Sequence, residues 1–178
     1  MPMTYHESGG TVITQDVAAI ITRDLRAVKR EIEAYPDEAS VWKLAPGIAN
    51  SGGTLALHLA GNLQHFFGAV LGKTGFVRDR AAEFSRRDVS RTELVAQLEA
   101  AIAAVENGLA GVAESALGKD YPERIAGHVV ATGEWLIHLA SHLAYHLGQI
   151  DYHRRLVTGH TETVAAMAVT ELRSARKP

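Results

Sequence analysis

Three histidines stand four residues apart toward the end of the chain, at His138, His142 and His146. On an α-helix, a step of four residues turns the side chain by about 40°, so the three form a slowly drifting row. Relative to the centre of the apolar face, His146 lies roughly 60° away, His142 roughly 100° and His138 roughly 140°. We therefore expect His146 to point partly inward, His142 to lie at the core's edge and His138 to tend outward. That apolar face is defined by Leu136, Leu143, Leu147 and Ile150.

A pair of histidines at this spacing can bind one divalent metal ion. Positions i and i+4 have Cβ atoms about 5–6 Å apart, and both imidazoles can then reach one ion at about 2.0–2.1 Å. The outer pair, His138 and His146, is roughly 12 Å apart along the helix and cannot share an ion. A third ligand must come from another helix, where His58 has the same edge-of-core position as His142. His65 shares that face two turns on, and periodicity does not choose between His58 and His65.

Several other kinds of site are absent from the sequence. The chain has no cysteine, so disulfides, thiolate ligands and cysteine nucleophiles are excluded, and any thiol in the chemistry must come from a substrate. It has no Glu-x-x-His pair for a carboxylate-bridged di-iron bundle, and no His-Glu-x-x-His motif of zinc proteases. A net charge of −2 gives no reason to expect nucleic acid or an anionic membrane as a partner.

Four segments with apolar residues three and four apart predict the helices that carry these histidines. The clearest start is Ser90, because Ser90 and Glu93 fit a capping box. Ser51 is a second N-cap candidate, and Gly159 is placed where a helix should stop. The predicted helices cover residues 12–35, 51–72, 90–112 and 132–157. The third has a predicted buried seam of Val95, Leu98, Ile102, Val105, Leu109 and Val112.

We interpret the remaining segments as connections and ends. Residues 36–50 and 118–131 are expected to be connections, the second with a short extended piece, and 161–178 a short, weaker terminal helix. Residues 1–10 are expected to form a flexible tail that lacks the features of a signal peptide. The loop over 72–88 has mixed charge, which predicts a solvated surface. Its arginines are Arg78, Arg80, Arg86 and Arg87.

The pattern predicts an all-α fold, with residues 1–178 forming a single four-helix bundle domain. Four amphipathic segments with little strand signal leave few other ways to bury four apolar stripes. No apolar stretch is long and uninterrupted enough to span a bilayer. We expect a cytoplasmic protein with no membrane partner.

Three stretches resemble the DinB-like (YfiT-like) metalloenzyme superfamily. They are Trp42-Lys43-Leu44, the run from Ser51 through Leu55-Ala56-Leu57-His58-Leu59 to Asn62, and His142-Leu143-Ala144-Tyr145-His146-Leu147-Gly148-Gln149-Ile150. The resemblance covers roughly residues 12–157, and its most specific motif is the helical His-x-x-x-His followed by Gly-Gln. The chain departs from many relatives at Leu147, where a basic residue often precedes the glycine.

The resemblance implies a four-helix bundle in which one histidine of the second helix and a pair from the fourth bind a metal. It places the first ligand at His58 rather than His65, and the pair at His142 and His146. It also implies zinc or nickel as the usual metal, and a homodimer. Characterised members attach low-molecular-weight thiols such as bacillithiol or mycothiol to electrophiles, or use the thiol in isomerisation. The family name does not imply DNA binding.

Three functional hypotheses follow from an open tris-histidine site. The first is a thiol S-transferase acting on a small-molecule substrate. The second is a metal-dependent hydrolase, for which Asp151 and Glu134 are the nearest carboxylates in sequence, although both are expected at the surface. The third is a non-enzymatic metal- or ligand-binding protein. The sequence assigns no catalytic residue beyond the ligands.

Overall fold

The computed structural model describes residues 12–87 and 89–177 of the chain. Within these ranges the protein contains six α-helices and no β-strand, and backbone pairing between extended residues is limited to two isolated bridges in 120–131. None of the helices in this part of the chain has the length and hydropathy that crossing a membrane requires. The helices are α1 (Val12–Glu33), α2 (Glu38–Trp42), α3 (Gly52–Leu63), α4 (Arg80–Ser85), α5 (Arg91–Ala110) and α6 (Thr132–Thr158).

The long helices begin and end where the sequence predicts. The Ser51 hydroxyl accepts a hydrogen bond from the Thr54 amide at 3.1 Å, which caps α3. The Ser90 hydroxyl does the same for the Glu93 amide at 3.1 Å, which caps α5. Helix α6 ends at Gly159, whose φ of 74° is the left-handed conformation that glycine adopts without steric cost.

Helices α1, α3, α5 and α6 form a four-helix bundle around one core, which confirms the all-α prediction. Helix α1 packs against α5 and α6, and α3 packs against the same two helices on the other side. Ion pairs Arg26–Glu106 and Lys29–Glu99 show that α1 and α5 run antiparallel. Helix α6 is antiparallel to α3. Trp135, in the first turn of α6, packs on Phe66, which follows the C-terminal end of α3. The connection between α3 and α5 contains α4.

Helix α3 continues past Leu63 as a wider π-helical segment, Gln64–Leu71, which the sequence pattern did not predict. Here α3 comes so close to α5 that a Cβ at Gly108 would collide with the Phe67 carbonyl. The seam of α5 is also shifted from the prediction. Leu94 and Ala101 are fully buried, whereas the expected Val95 and Ile102 are only half-buried. A helix that faces two partners at once buries a broader stripe than a single-seam pattern describes.

Two predicted connections contain short helices instead of loop alone. Residues 36–50 include α2, which the Asp37 carboxylate caps by accepting from the Ser40 amide at 2.7 Å. Residues 72–88 include α4, which Asp79 caps through the Ala82 amide at 2.9 Å. Each is too short to carry a periodic apolar stripe, so the helical pattern could not reveal it.

The short, weaker terminal helix predicted over 161–178 is, in the described residues, a single 3-10 turn, Val169–Glu171. Arginine side chains of the bundle satisfy carbonyl groups of this segment instead of backbone amides. Arg30 donates to the Val164 carbonyl at 3.0 Å, and Arg154 donates to the Glu162 carbonyl at 2.8 Å. The flexible tail predicted over 1–10 lies outside the described residues.

Candidate metal centre

Three imidazole nitrogens converge between α3 and α6. His142 Nε2 lies 3.3 Å from His58 Nε2 and 3.1 Å from His146 Nε2. The three ligand atoms all lie within 4.8 Å of one another. Donors bonded tetrahedrally to zinc at 2.0–2.1 Å are separated by about 3.3 Å, the edge of that tetrahedron. The spacing of these nitrogens therefore fits one divalent ion, and the group could hold a metal.

Helix geometry brings the three rings together. His142 and His146 are one turn apart on α6, and their rings meet edge to face with centroids 4.5 Å apart. His58 comes from the antiparallel helix α3, and its ring centroid lies 5.2 Å from each of the other two. His58 is buried and the α6 pair is half-buried. The cluster thus lies at the edge of the core, as the helical angles predicted for His142.

A buried carboxylate fixes the orientation of His58. His58 Nδ1 donates to Glu83 Oε2 at 2.9 Å, and the ring of Phe84 packs on the imidazole with centroids 4.9 Å apart. Arg78 holds the same carboxylate with two hydrogen bonds, from Nε at 2.7 Å and from Nη2 at 2.9 Å. Gly61 leaves room for the carboxylate, since a Cβ there would collide with it. Arg78, Glu83 and His58 form a continuous chain of charge-assisted hydrogen bonds.

The hydrogen bonds among Arg78, Glu83 and His58 correct the prediction that residues 72–88 form a solvated surface. Glu83 is only 6% exposed, and the Arg78 side chain is 13% exposed. Burial alone would raise the pKa of Glu83, but the hydrogen bonds from Arg78 and His58 outweigh it and hold that pKa below its ordinary value. Helix α4 positions Glu83 against α3. The mixed charge of the segment does not indicate this contact, because the partner residue is distant in sequence.

The second imidazole is oriented by a neighbour on its own helix. His146 Nδ1 donates to the Gln149 side-chain oxygen at 2.7 Å. Because His58 and His146 each carry their proton on Nδ1, their Nε2 atoms present lone pairs toward the centre of the cluster. Hydrogen-bonded ring nitrogens of this kind are typical of metal-ligating histidines, where the outer partner fixes the tautomer.

Electrostatics keep the α6 imidazoles uncharged near neutral pH. Burial, with added repulsion from His146 and His58, lowers the pKa of His142 to about 4. Burial also lowers the pKa of His146, although the hydrogen bond with Gln149 opposes that effect. A cation binds to imidazoles that are uncharged and whose lone pairs point at one position.

The other histidines in residues 12–87 and 89–177 lie outside this cluster. His65, the alternative third ligand, pairs instead with Glu123 at 2.9 Å. His138 is exposed and stacks on Trp135, with ring centroids 4.8 Å apart. His153, on the same helix as His142 and His146, is buried and hydrogen-bonds with the Tyr35 hydroxyl and the Lys43 carbonyl. Of the two candidates left open by periodicity, the structure thus brings His58 into the cluster and leaves His65 out.

Sequence reasoning missed the residues that support the imidazoles. Gln149 follows His146 by three residues, and helical spacing could have identified it. Glu83 had no such signal, because it lies 25 residues from His58 in a segment of mixed charge. The two carboxylates that the sequence did single out are not in the cluster. Glu134 is exposed, and Asp151 pairs with Arg155 at 2.9 Å.

Fold and site together define an all-α four-helix bundle with a tris-histidine cluster that could hold a metal ion. The chain belongs to the family described as "Protein of unknown function (DUF1572)", whose model matches residues 12–170. The match includes all four long helices and all three clustered histidines. No curated protein matches the chain.

Proposed function

We propose that the protein binds one divalent metal ion, zinc or nickel, through His58, His142 and His146, and uses it to transfer a low-molecular-weight thiol. The convergence of the three imidazoles carries the proposal: His142 Nε2 lies 3.1–3.3 Å from the other two Nε2 atoms, and all three ligand atoms lie within 4.8 Å of one another. The match to DUF1572, which is placed in the DinB-like clan, supports the resemblance to the DinB-like superfamily. Structural zinc sites normally have four protein ligands, whereas catalytic sites have three and keep one position open.

The chain's own residues would hold and orient the ion's ligands. Glu83 keeps the His58 ring turned toward the cluster, and Arg78 keeps Glu83 ionised and fixed. Gln149 does the same for His146. When bound, a divalent ion with three neutral ligands retains its full charge and lowers the pKa of a coordinating thiol. The protein thereby provides a rigid site that favours the anionic form of that thiol.

Two observations favour a thiol over water as the nucleophile. The chain has no cysteine, so no side chain of its own competes with a substrate thiol for the open position. Among the described residues, the carboxylate nearest the cluster is Glu83, and both of its oxygens already accept hydrogen bonds from Arg78 and His58. A hydrolase would need a free general base there. In the proposed reaction, the thiol sulfur bonds to an electrophilic carbon, the thiol proton passes to solvent, and the electrophile's leaving group departs with its electron pair.

A cavity that reaches the cluster through Gln149, and not through the three histidines themselves, supports a small-molecule substrate. It has a volume of about 400 Å³ and is bordered by Gln149, the residue that orients His146. Its wall is mainly apolar, from Ile48, Leu55 and Leu156, with a few polar side chains. Small-molecule sites commonly combine these features. The cavity would accept the apolar part of an electrophile while its reactive carbon approaches the centre.

Incubation with a thiol panel and a model electrophile tests this function. The purified protein is loaded with zinc or nickel and mixed with monobromobimane plus cysteine, glutathione, bacillithiol or mycothiol. We expect conjugate formation with one of these thiols above the uncatalysed rate, and its loss on adding a chelator. Chelator-sensitive cleavage of an ester without any thiol would replace this proposal with the hydrolase. Bound metal with neither reaction would indicate a binding protein.

We also propose a homodimer. Helix α6 carries an exposed apolar stripe, Tyr145, Tyr152 and Leu156, whose members are 65%, 76% and 61% exposed. They lie on one face at helical spacing, opposite the core. Burying this stripe against a second copy would remove apolar surface from water. Because Tyr152 and Leu156 also line the cavity, the second copy would lie at the cavity's edge. Light scattering at tens of micromolar checks the mass, and a monomer there would contradict the dimer.

A further inference from the structure

Two buried polar atoms beside the cluster have no hydrogen-bond partner within the described part of the chain. They are the Asn62 side-chain oxygen and His142 Nδ1. Asn62 is only 7% exposed, so its oxygen has little access to water. Buried polar groups are nearly always paired in folded proteins, because leaving one unpaired costs free energy. An unpaired acceptor and an unpaired donor on facing helices therefore need an explanation.

Helical register places the two residues at adjacent levels of the α3–α6 interface. Asn62 follows His58 by four residues and so lies on the same face of α3, one turn further on. Helices α3 and α6 run antiparallel, with His58 against His142 and Phe66 against Trp135, whose ring centroids are 5.0 Å apart. Side chains tilt toward the N-terminus of their own helix. Asn62 therefore tilts back toward the turn of His58, and the His142 ring tilts in the matching direction on α6.

The chemistry of the two groups is complementary. An imidazole that binds a metal through Nε2 keeps its proton on Nδ1 and needs an acceptor there. The other two rings already have one, in Glu83 and Gln149. The Asn62 side-chain oxygen is an acceptor with two lone pairs, and the structure gives it no other partner.

We infer that Asn62 is the positioning residue of His142, whose Nδ1–H donates to the Asn62 side-chain oxygen when the three imidazoles hold a metal ion. The inference rests on the metal centre proposed above. Each ligand then has one outer partner: a carboxylate for His58, and a side-chain amide for His146 and for His142. Closing this hydrogen bond pairs both buried atoms in one step, which couples metal binding to the packing of α3 on α6.

Three variants test this role in the full-length protein. Asn62→Leu removes the acceptor at similar volume, and Asn62→Asp restores one. Trp135→Phe is the control, since Trp135 Nε1 is the other unpaired buried donor at this interface and touches no ligand nitrogen. Cobalt affinity is measured by competition with a chelator. Exchangeable imidazole N–H signals are counted in the proton spectrum of the cobalt protein.

We expect Asn62→Leu to bind cobalt roughly 10–100-fold more weakly, the usual effect of losing an outer-shell partner. One of three shifted imidazole N–H signals should move or exchange away, while Asn62→Asp and Trp135→Phe keep wild-type affinity. If Asn62→Leu does not fold, a folded Asn62→Asp that binds ten-fold more weakly overturns the inference. Wild-type affinity with three unchanged signals in Asn62→Leu also overturns it. A wild-type protein that binds neither cobalt, zinc nor nickel overturns the metal centre itself, and this inference with it.

Discussion

Helix α6 carries two kinds of inward-facing histidine, and the contrast between them explains which one is suited to a metal. His153 is 3% exposed and fully paired. The Tyr35 hydroxyl donates to its Nδ1 at 2.6 Å, and its Nε2 donates to the Lys43 carbonyl at 2.7 Å. His142 lies three turns earlier and His146 two turns earlier, and both are half-buried. Burial lowers the pKa of all three imidazoles. The Nε2 atoms of His142 and His146, however, point only at each other and at His58.

This difference teaches that burial and a lowered pKa do not by themselves identify a ligand. Burial lowers the pKa of His153 as well, yet both of its ring nitrogens serve the packing of α6 on α1 and on the segment after α2. What distinguishes the cluster is the meeting of three lone pairs that no donor of the described chain satisfies. A histidine with two complete hydrogen bonds is a structural residue, whereas three histidines whose Nε2 atoms converge on one point could hold a cation.

The largest expected effect is the loss of metal on removing a clustered ligand. His142→Ala should weaken zinc or nickel binding by more than about 100-fold, beyond the effect of an outer-shell change, because two imidazoles remain. Elemental analysis after gel filtration measures the bound metal. His153→Gln is the matched control on the same helix and should keep full occupancy. Full occupancy in His142→Ala would remove the distinction between the two kinds of histidine.

A smaller effect is expected at the carboxylate behind His58. Glu83→Gln keeps the shape but loses the charge that accepts from His58 Nδ1, so metal affinity should fall roughly 10–100-fold. Glu123→Gln is the control, since Glu123 pairs in the same way with His65, which lies outside the cluster. Chelator competition measures both affinities. Equal affinities for the two variants would mean that Glu83 supports the fold and not the centre.

His153, whose two ring nitrogens are both hydrogen-bonded, should contribute to the pH dependence of the unfolding free energy. Burial lowers the pKa of His153 in the folded protein, so the unfolded chain binds the proton first as pH falls below about 6.5. The contribution of His153 to the unfolding free energy is therefore fully present above that pH. It is lost as the pH falls toward the lower pKa of His153 in the folded protein. Between about pH 7 and 5, His153→Gln should lose less unfolding free energy than the wild type, because it lacks the imidazole that the unfolded chain protonates first.

Denaturant unfolding in the presence of chelator measures this difference. Chelation matters because protonation of the clustered ligands would add a metal-linked effect of the same sign. His160→Gln, at an exposed position, should follow the wild type. If His153→Gln also follows the wild type, protonation of His153 does not limit acid stability.

The smallest effect is expected at the histidine that sequence periodicity offered as an alternative ligand. His65→Ala should leave metal content unchanged, because its Nε2 pairs with the half-exposed Glu123 and does not face the cluster. Elemental analysis beside the wild type checks this. Loss of metal in His65→Ala with retention in His58→Ala would reverse the choice between them.

Much of the fold could be predicted because its signals are local. Helical periodicity, a serine cap and a stop glycine each act within one or two turns of backbone. These signals placed the starts of α3, α5 and α6 within one residue and predicted the end of α6 at Gly159. They also placed His142 and His146 on one edge of α6, because 3.6 residues per turn fixes the angle between any two side chains of a helix. The short helices α2 and α4 carry too few residues for such a pattern.

The sequence by itself therefore determined which face of each helix carries the histidines. It showed which histidines could bind an ion together, and that a further ligand from another helix was needed. Only the tertiary structure decided the rest. The choice of His58 over His65 and the burial of Glu83 depend on how helices distant in sequence pack against each other. That arrangement follows from packing the whole core at once, and no local period encodes it.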